Sequence, residues 1–258
     1  MSTFLFDKTI FGPVHSRRLG ISLGINLLPV NAKVCTFDCQ YCECGFNFKP
    51  KKVHIPTRAE VKTQLHETLA KMKANGEKLD VITFAGNGEP TMYTDFEGVV
   101  DDTIALRNEF FPDAKISVLS NSTLIHKPKV FAALNKVDNN ILKMDSAINS
   151  TLMLLNKPKA ISFTRDWLVT HLKRFDGKLI IQTLFLKGEI DNRTIDNTTR
   201  EEVTAWLEAI KEIKPQQVMI YTLERDTPNH TLQKATKKQL TAIAAQVKSL
   251  GIEVSIAG

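Results

Sequence analysis

Six short apolar runs, rich in β-branched residues, alternate with amphipathic segments along this chain, and that alternation leaves few folds open. The runs cover residues 20–28, 80–86, 115–121, 140–147, 178–188 and 217–223. Helical periodicity marks residues 57–76, 95–110, a segment from 128, then 167–173, 200–213 and 237–250, before a last short strand at 252–256. "TRAE" opens the first helix as a capping box, with Thr57 as the cap, Glu60 three residues on, and Gly76 as the stop. Six consecutive βα units without a long linker predict a single α/β domain over residues 1–258. The expected architecture is a partial (β/α)6 TIM-type barrel, closed or partly closed, with an open doubly wound sheet as the alternative. In such barrels the active site lies at the C-terminal ends of the strands. Those ends are "GNGEP", "SNS", "KMDS", "FLKGEIDN", "YTLERDTPN" and a cysteine loop after the first strand, all polar or glycine-rich behind apolar strands.

All four cysteines of the 258 residues fall within "CTFDCQYCEC", residues 35–44. A disulfide framework would spread them, and buried structural thiols would scatter, so the cluster holds one small object. Cys35, Cys39 and Cys42 are spaced C-x3-C-x2-C. Structural zinc prefers four ligands in two separated pairs. Cys44 could be a fourth thiolate, but only one residue separates it from Cys42. A four-iron cluster on three thiolates would leave one iron open for a small molecule. A structural metal site and a reactive cluster both remain open on spacing alone.

Composition narrows the setting. Hydrophobic content of 43% and charged content of 24% are those of an ordinary globular protein. No basic n-region with an apolar run opens the chain, and no stretch reaches the ~18 apolar residues of a membrane span, so a cytoplasmic, membrane-free protein is expected. The balance of 34 basic and 28 acidic residues, +6, suits a solvated surface or an anionic partner such as RNA or a nucleotide.

"CTFDCQYC" resembles the signature of radical S-adenosylmethionine enzymes, and "FAGNGEPT" is similar to the Gly-Gly-Glu-Pro element of that superfamily. The segment from "FGPVHSRRLG" through the cysteines, with "KMDSA", "IQTLFLKG" and "IYTLERDTP", resembles an iron–sulfur oxidoreductase branch akin to wyosine-type tRNA-modifying enzymes. Those enzymes carry further cysteines for a second cluster, and this chain has none to supply them. The resemblance implies a [4Fe-4S] cluster on Cys35, Cys39 and Cys42, with Cys44 spare. It implies S-adenosylmethionine on the open iron, cleaved reductively to a 5′-deoxyadenosyl radical that takes hydrogen from a substrate. A reductant such as flavodoxin or ferredoxin would supply the electron. Tyr41 would lie near the adenine, and Gly86, Asn87, Gly88 and Glu89 would hold the methionine amino group. Ser120 and Asn121 are placed for ribose or carboxylate contacts.

Gln182 is a lone polar residue on an apolar strand face and suits a contact near the adenosyl group. Lys143 and Asp145 alternate with Leu142 and Met144, so both point to one face, as a catalytic pair or a salt bridge. Three substrate classes fit: RNA, with Arg17 and Arg18 on phosphates; a partner protein activated by a radical; or a small molecule, with Arg225 and His230 in a loop over residues 223–233. A non-enzymatic metal-binding module is the remaining reading.

Overall fold

The computed structural model describes residues 4–16, 19–48 and 50–257; Arg17, Arg18 and Lys49 lie outside the described residues. The chain runs β1 (Ile10–Ser16), β2 (Gly20–Ile25), α1 (Arg58–Ala74), β3 (Val81–Phe84), α2 (Phe96–Phe110), β4 (Lys115–Ser120) and α3 (Pro128–Leu134). It continues through β5 (Asn139–Lys143), α4 (Asn149–Asn156), α5 (Arg165–Lys173), β6 (Ile180–Leu184), β7 (Leu186–Ile190), β8 (Arg193–Asp196) and α6 (Arg200–Ile213). It ends with β9 (Gln217–Tyr221), β10 (Gln233–Lys234), α7 (Lys237–Ser249) and β11 (Glu253–Ala257).

One sheet orders its strands β1-β2-β3-β4-β5-β6-β9-β11. From β2 to β11 every pairing is parallel, and β1 lies antiparallel on the outer edge of β2. Strand order follows chain order with no reversal, which is barrel winding; a doubly wound sheet reverses at a switch point. β1 and β11 do not pair, so the sheet is a curled half-barrel. The partial-barrel expectation holds, with the cysteine loop following the first parallel strand.

The longer helices each bury one apolar stripe. In α1, Val61, Leu65, Leu69 and Met72 fall three or four residues apart and are buried. Thr57 accepts from Glu60 N at 3.2 Å, while the Glu60 carboxylate accepts from Thr57 N at 2.6 Å, completing the expected capping box. The inner face has a smaller apolar cluster of Ile141, Ile180 and Met219.

Three elements differ from the sequence reading. The expected first strand ends at Ile25, and β1, absent from the reading, precedes it. The expected fifth strand breaks at Phe185: Asn197 donates to Leu184 O (2.7 Å) and accepts from Leu186 N (2.8 Å). The bracket steers β7 out of the barrel into a small sheet ordered β10-β7-β8. Finally, the short helix α4 interrupts the connection after β5. Replacing an N-cap threonine costs about 1 kcal/mol. Thr57→Ala should therefore lower the midpoint of thermal unfolding by about 2–4 °C, read by circular dichroism, while leaving the sheet intact.

Candidate active site

At the C-terminal ends of the strands lies a cavity of about 330 Å³, within the range of small-ligand sites. Cys35, Cys39, Cys42 and Cys44 all border it, as do Gly86, Gly88, Glu89, Ser120, Asn121, Lys143 and Gln182. The sequence-predicted residues therefore converge, except Asn87, Asp145 and His230, which do not border the cavity, and Arg17 and Arg18, which lie outside the described residues.

The cysteine loop is held from within. Asn47 accepts from Cys35 N (2.7 Å) and donates to Phe37 O (2.8 Å), while its own N–H goes to Asp38 (2.7 Å). Two side-chain amides reach the sulfurs: Asn121 Nδ2 lies 3.4 Å from Cys35 Sγ, and Asn156 Nδ2 lies 3.4 Å from Cys39 Sγ. Burial pushes the Cys35 thiol up to about 12 and the Cys39 thiol up to about 11. Cys42 is lowered instead, chiefly by a hydrogen bond from the Cys44 thiol and further by the nearby Lys33 ammonium. Lys33 is 3% exposed and 3.6 Å from Asp38. Burial works against its charge, yet the three thiols and Asp38 outweigh it and hold its pKa above the ordinary lysine value. Among the described residues, no three His, Cys, Asp or Glu side chains converge on a single ion position. The thiols are instead distributed along the cavity wall.

The segment over residues 86–89 pairs with the cysteine loop. Val34 N donates to Asn87 O (2.9 Å) and Glu89 N to Val34 O (3.2 Å). Gly88 sits at φ +141°, and a Cβ there would come within 1.8 Å of Val34 O. A Cβ on Gly86 would meet Asn26 Oδ1 at 2.3 Å. Both glycines are demanded by the chain's approach to itself. The Glu89 carboxylate accepts from Ser120 Oγ (2.8 Å), Asn121 N (2.6 Å) and Thr91 N (3.1 Å). Burial raises its pKa, against the opposing pull of those hydrogen bonds.

Asn87 departs from its expected role. Its side chain is fully buried away from the cavity, accepting from Phe6 N (2.8 Å) and donating to Phe6 O and Pro29 O (2.9 Å each). It ties the N-terminal segment down and does not border the ligand space. Tyr41 borders the cavity, but its hydroxyl points into a charged network, donating to Asp145. Lys143 Nζ reaches Tyr41 OH (3.0 Å), Tyr221 OH (3.2 Å) and Asp145 (3.6 Å). Asp145 also accepts from Asn156 Nδ2 (2.7 Å) and Leu184 N (3.0 Å). Burial opposes the Lys143 charge, but Asp145, Tyr221 and Cys39 raise its pKa, so it is a held ammonium. Of the two loop residues expected near substrate, Arg225 pairs with Glu43 across the rim (2.9 Å), and His230 is exposed and outside the cavity lining. Lys33, Asn47 and Asn156 were not indicated by the sequence, because no motif spacing marks a residue whose partners lie on another element.

Fold and site together define a half-barrel with polar groups gathered around clustered thiols at the strand ends. The chain belongs to the radical SAM superfamily, which matches residues 32–191. It is 30% identical over 230 residues to the protein named GTPase Obg of Brachyspira hyodysenteriae, covering 87% of this chain and 31% of that relative. The structure of Streptococcus suis SuiB bound to S-adenosylmethionine matches 91% of this chain and 50% of SuiB, with TM-score 0.65 at 15% identity. TYW1 with a lysine-pyruvate adduct bound matches 88% of this chain and 73% of TYW1, with TM-score 0.58 at 10% identity. The chain thus spans about a third of the length of that curated relative. No helix among the described residues is long and apolar enough to cross a membrane.

Asn87→Leu keeps the volume and leaves three backbone groups, two of them carbonyls, without partners. At about 1–3 kcal/mol for each buried unpaired group, it should lower stability by roughly 3 kcal/mol or more in urea unfolding.

Proposed function

We propose that Cys35, Cys39 and Cys42 hold a [4Fe-4S] cluster and that S-adenosylmethionine binds beside it in the same cavity. The observation that carries this reading is that three thiols share one cavity with the 86–89 segment at the strand ends. Three thiolates on one loop suit a cluster that keeps one iron open, whereas a structural tetrahedral zinc takes four ligands. When bound, cluster and cofactor supply reductive cleavage of the sulfonium to methionine and a 5′-deoxyadenosyl radical that removes hydrogen from substrate, the electron coming from a reductant such as flavodoxin or ferredoxin.

The residues of the chain would serve that chemistry in distinct ways. Binding iron would favour the thiolate form of Cys35 and Cys39, which burial otherwise disfavours, whereas Cys42 is already shifted toward it. The Lys33 ammonium and the amide N–H groups of Asn121 and Asn156 favour negative sulfur, and such donors tune a cluster's potential. Glu89, fixed by its three donor residues, presents a carboxylate beside the Gly86 and Gly88 backbone, and an ammonium group complements that surface. Ser120 and Asn121 hold Glu89, while Gln182 and the ring of Tyr41 offer further contacts to the cofactor. Lys143 and Asp145 act as a fixed charge pair that orients ligand; a lysine held as an ammonium is poorly suited to nucleophilic attack. The fold shared with SuiB, seen bound to S-adenosylmethionine, supports the reading. No G-x4-G-K-[ST] phosphate loop occurs in the sequence, so the GTPase name of the curated relative finds no motif here.

The test is anaerobic reconstitution with iron and sulfide, then dithionite reduction with S-adenosylmethionine. The expected outcome is four irons per chain and 5′-deoxyadenosine, with both lost by at least ~100-fold in Cys39→Ala and retained in Cys44→Ala. Zinc in place of iron, or a filled cluster that leaves the cofactor intact, would overturn it.

A further inference from the structure

Past Gln182 the interior of the half-barrel opens into a second chamber of about 140 Å³. It meets the first cavity at Phe6, Ala85, Leu119 and Gln182, which border both. Its walls are mainly apolar, with Leu119, Ile141 and Met219 from the inner strand faces. Its cover is the Phe6 ring stacked on Phe11, centroids 3.9 Å apart at 25°. Phe11 can lie there because Gly24 has no side chain; a Cβ on Gly24 would fall 2.1 Å from that ring. The hydroxyls of Ser22 and Thr83, also in the wall, satisfy each other at 2.8 Å. Gln182 is different. It is 6% exposed, it borders both spaces, and among the described residues its side-chain amide has no hydrogen-bond partner. Its amide faces the open space where the two cavities meet, so it is placed to bond a ligand group.

We propose that this chamber receives an apolar group of the substrate, about the size of a benzene ring, with a hydrogen-bonding group beside it on Gln182, whose amide oxygen and NH2 can serve cofactor and substrate separately. Apolar cavities of about 150 Å³ bind benzene, and this chamber, open to the first cavity, offers a similar volume. Among the described residues no charged side chain borders the chamber, and its walls are apolar on three strand faces, so an apolar group replaces little hydration there. The inference rests on the first cavity being the cofactor site, which places the reacting group at the next space inward. It assigns the substrate by its reacting end: an aromatic or branched aliphatic group next to an amide, carbonyl or hydroxyl.

Fluorine NMR with fluorobenzene and 4-fluorobenzamide on the purified chain tests this. Both should bind saturably, the benzamide at least threefold tighter, an advantage that Gln182→Leu removes. Met219→Trp fills the chamber and should weaken both at least tenfold; Ile141→Phe is the gentler filling variant, and circular dichroism confirms that each is folded. Absence of saturable binding to the wild type, or binding unchanged in a folded filling variant, overturns the proposal. The same preparations are reconstituted and assayed for 5′-deoxyadenosine. Met219 does not border the first cavity, so its variant should retain uncoupled cofactor cleavage. Cleavage without probe binding overturns the chamber alone. Probe binding sensitive to the filling variants, without cleavage, supports the chamber and overturns the cofactor reading.

Discussion

The pairing of Val34 with the segment around Gly88 is the constraint on which the site depends. A long loop carrying all the thiols must be held at a fixed height above the barrel, and two backbone hydrogen bonds to the end of β3 hold it. They can form only where the 86–89 backbone comes close enough to touch, and a Cβ at Gly88 would overlap Val34 O at 1.8 Å. Glycine at this position is therefore a property of the fold before it is a property of ligand binding. The same segment delivers Glu89 to the cavity wall, so one contact sets both the thiols and the carboxylate.

Asparagine amides do much of the remaining positioning. Each offers two donors and an acceptor in one plane, which suits a junction where strand ends leave backbone groups unpaired. Asn87 ties down Phe6, Asn121 joins Thr36 and Cys35, and Asn197 brackets the break after β6. Asn156, the last residue of α4, links Cys39 to the Asp145 carboxylate. The site is thus carried by elements well separated in sequence, and the buried Lys143–Asp145 pair avoids the cost of an isolated charge because two tyrosine hydroxyls and Asn156 complete its shell.

What the sequence made legible follows from the range of the interactions. The βα alternation, the capping box at Thr57 and the crowding of thiols at residues 35–44 are local patterns, and each corresponds to an observed element or cavity wall. β1 escaped notice because Gly12-Pro13 reads as a breaker, and its register does shift between Phe11 and Val14. The apolar run over residues 178–188 read as one strand, since nothing within it signals the bracket that Asn197 imposes from eleven residues further on. Asn87 was misassigned for the same kind of reason: inside a glycine motif a polar residue suggests a ligand, whereas its partners here are Phe6 and Pro29. Lys33 and Asn156 carry no local signature at all.

The central claim is that the three thiols hold a cluster with one iron open to S-adenosylmethionine. Low-temperature electron paramagnetic resonance of the anaerobically reconstituted, reduced protein tests it most directly, with the cofactor absent and then added. A cluster signal that changes on addition of S-adenosylmethionine, in wild type and Cys44→Ala alike, is the predicted result. A signal indifferent to the cofactor, or none from a protein shown to contain iron and sulfide, would contradict it.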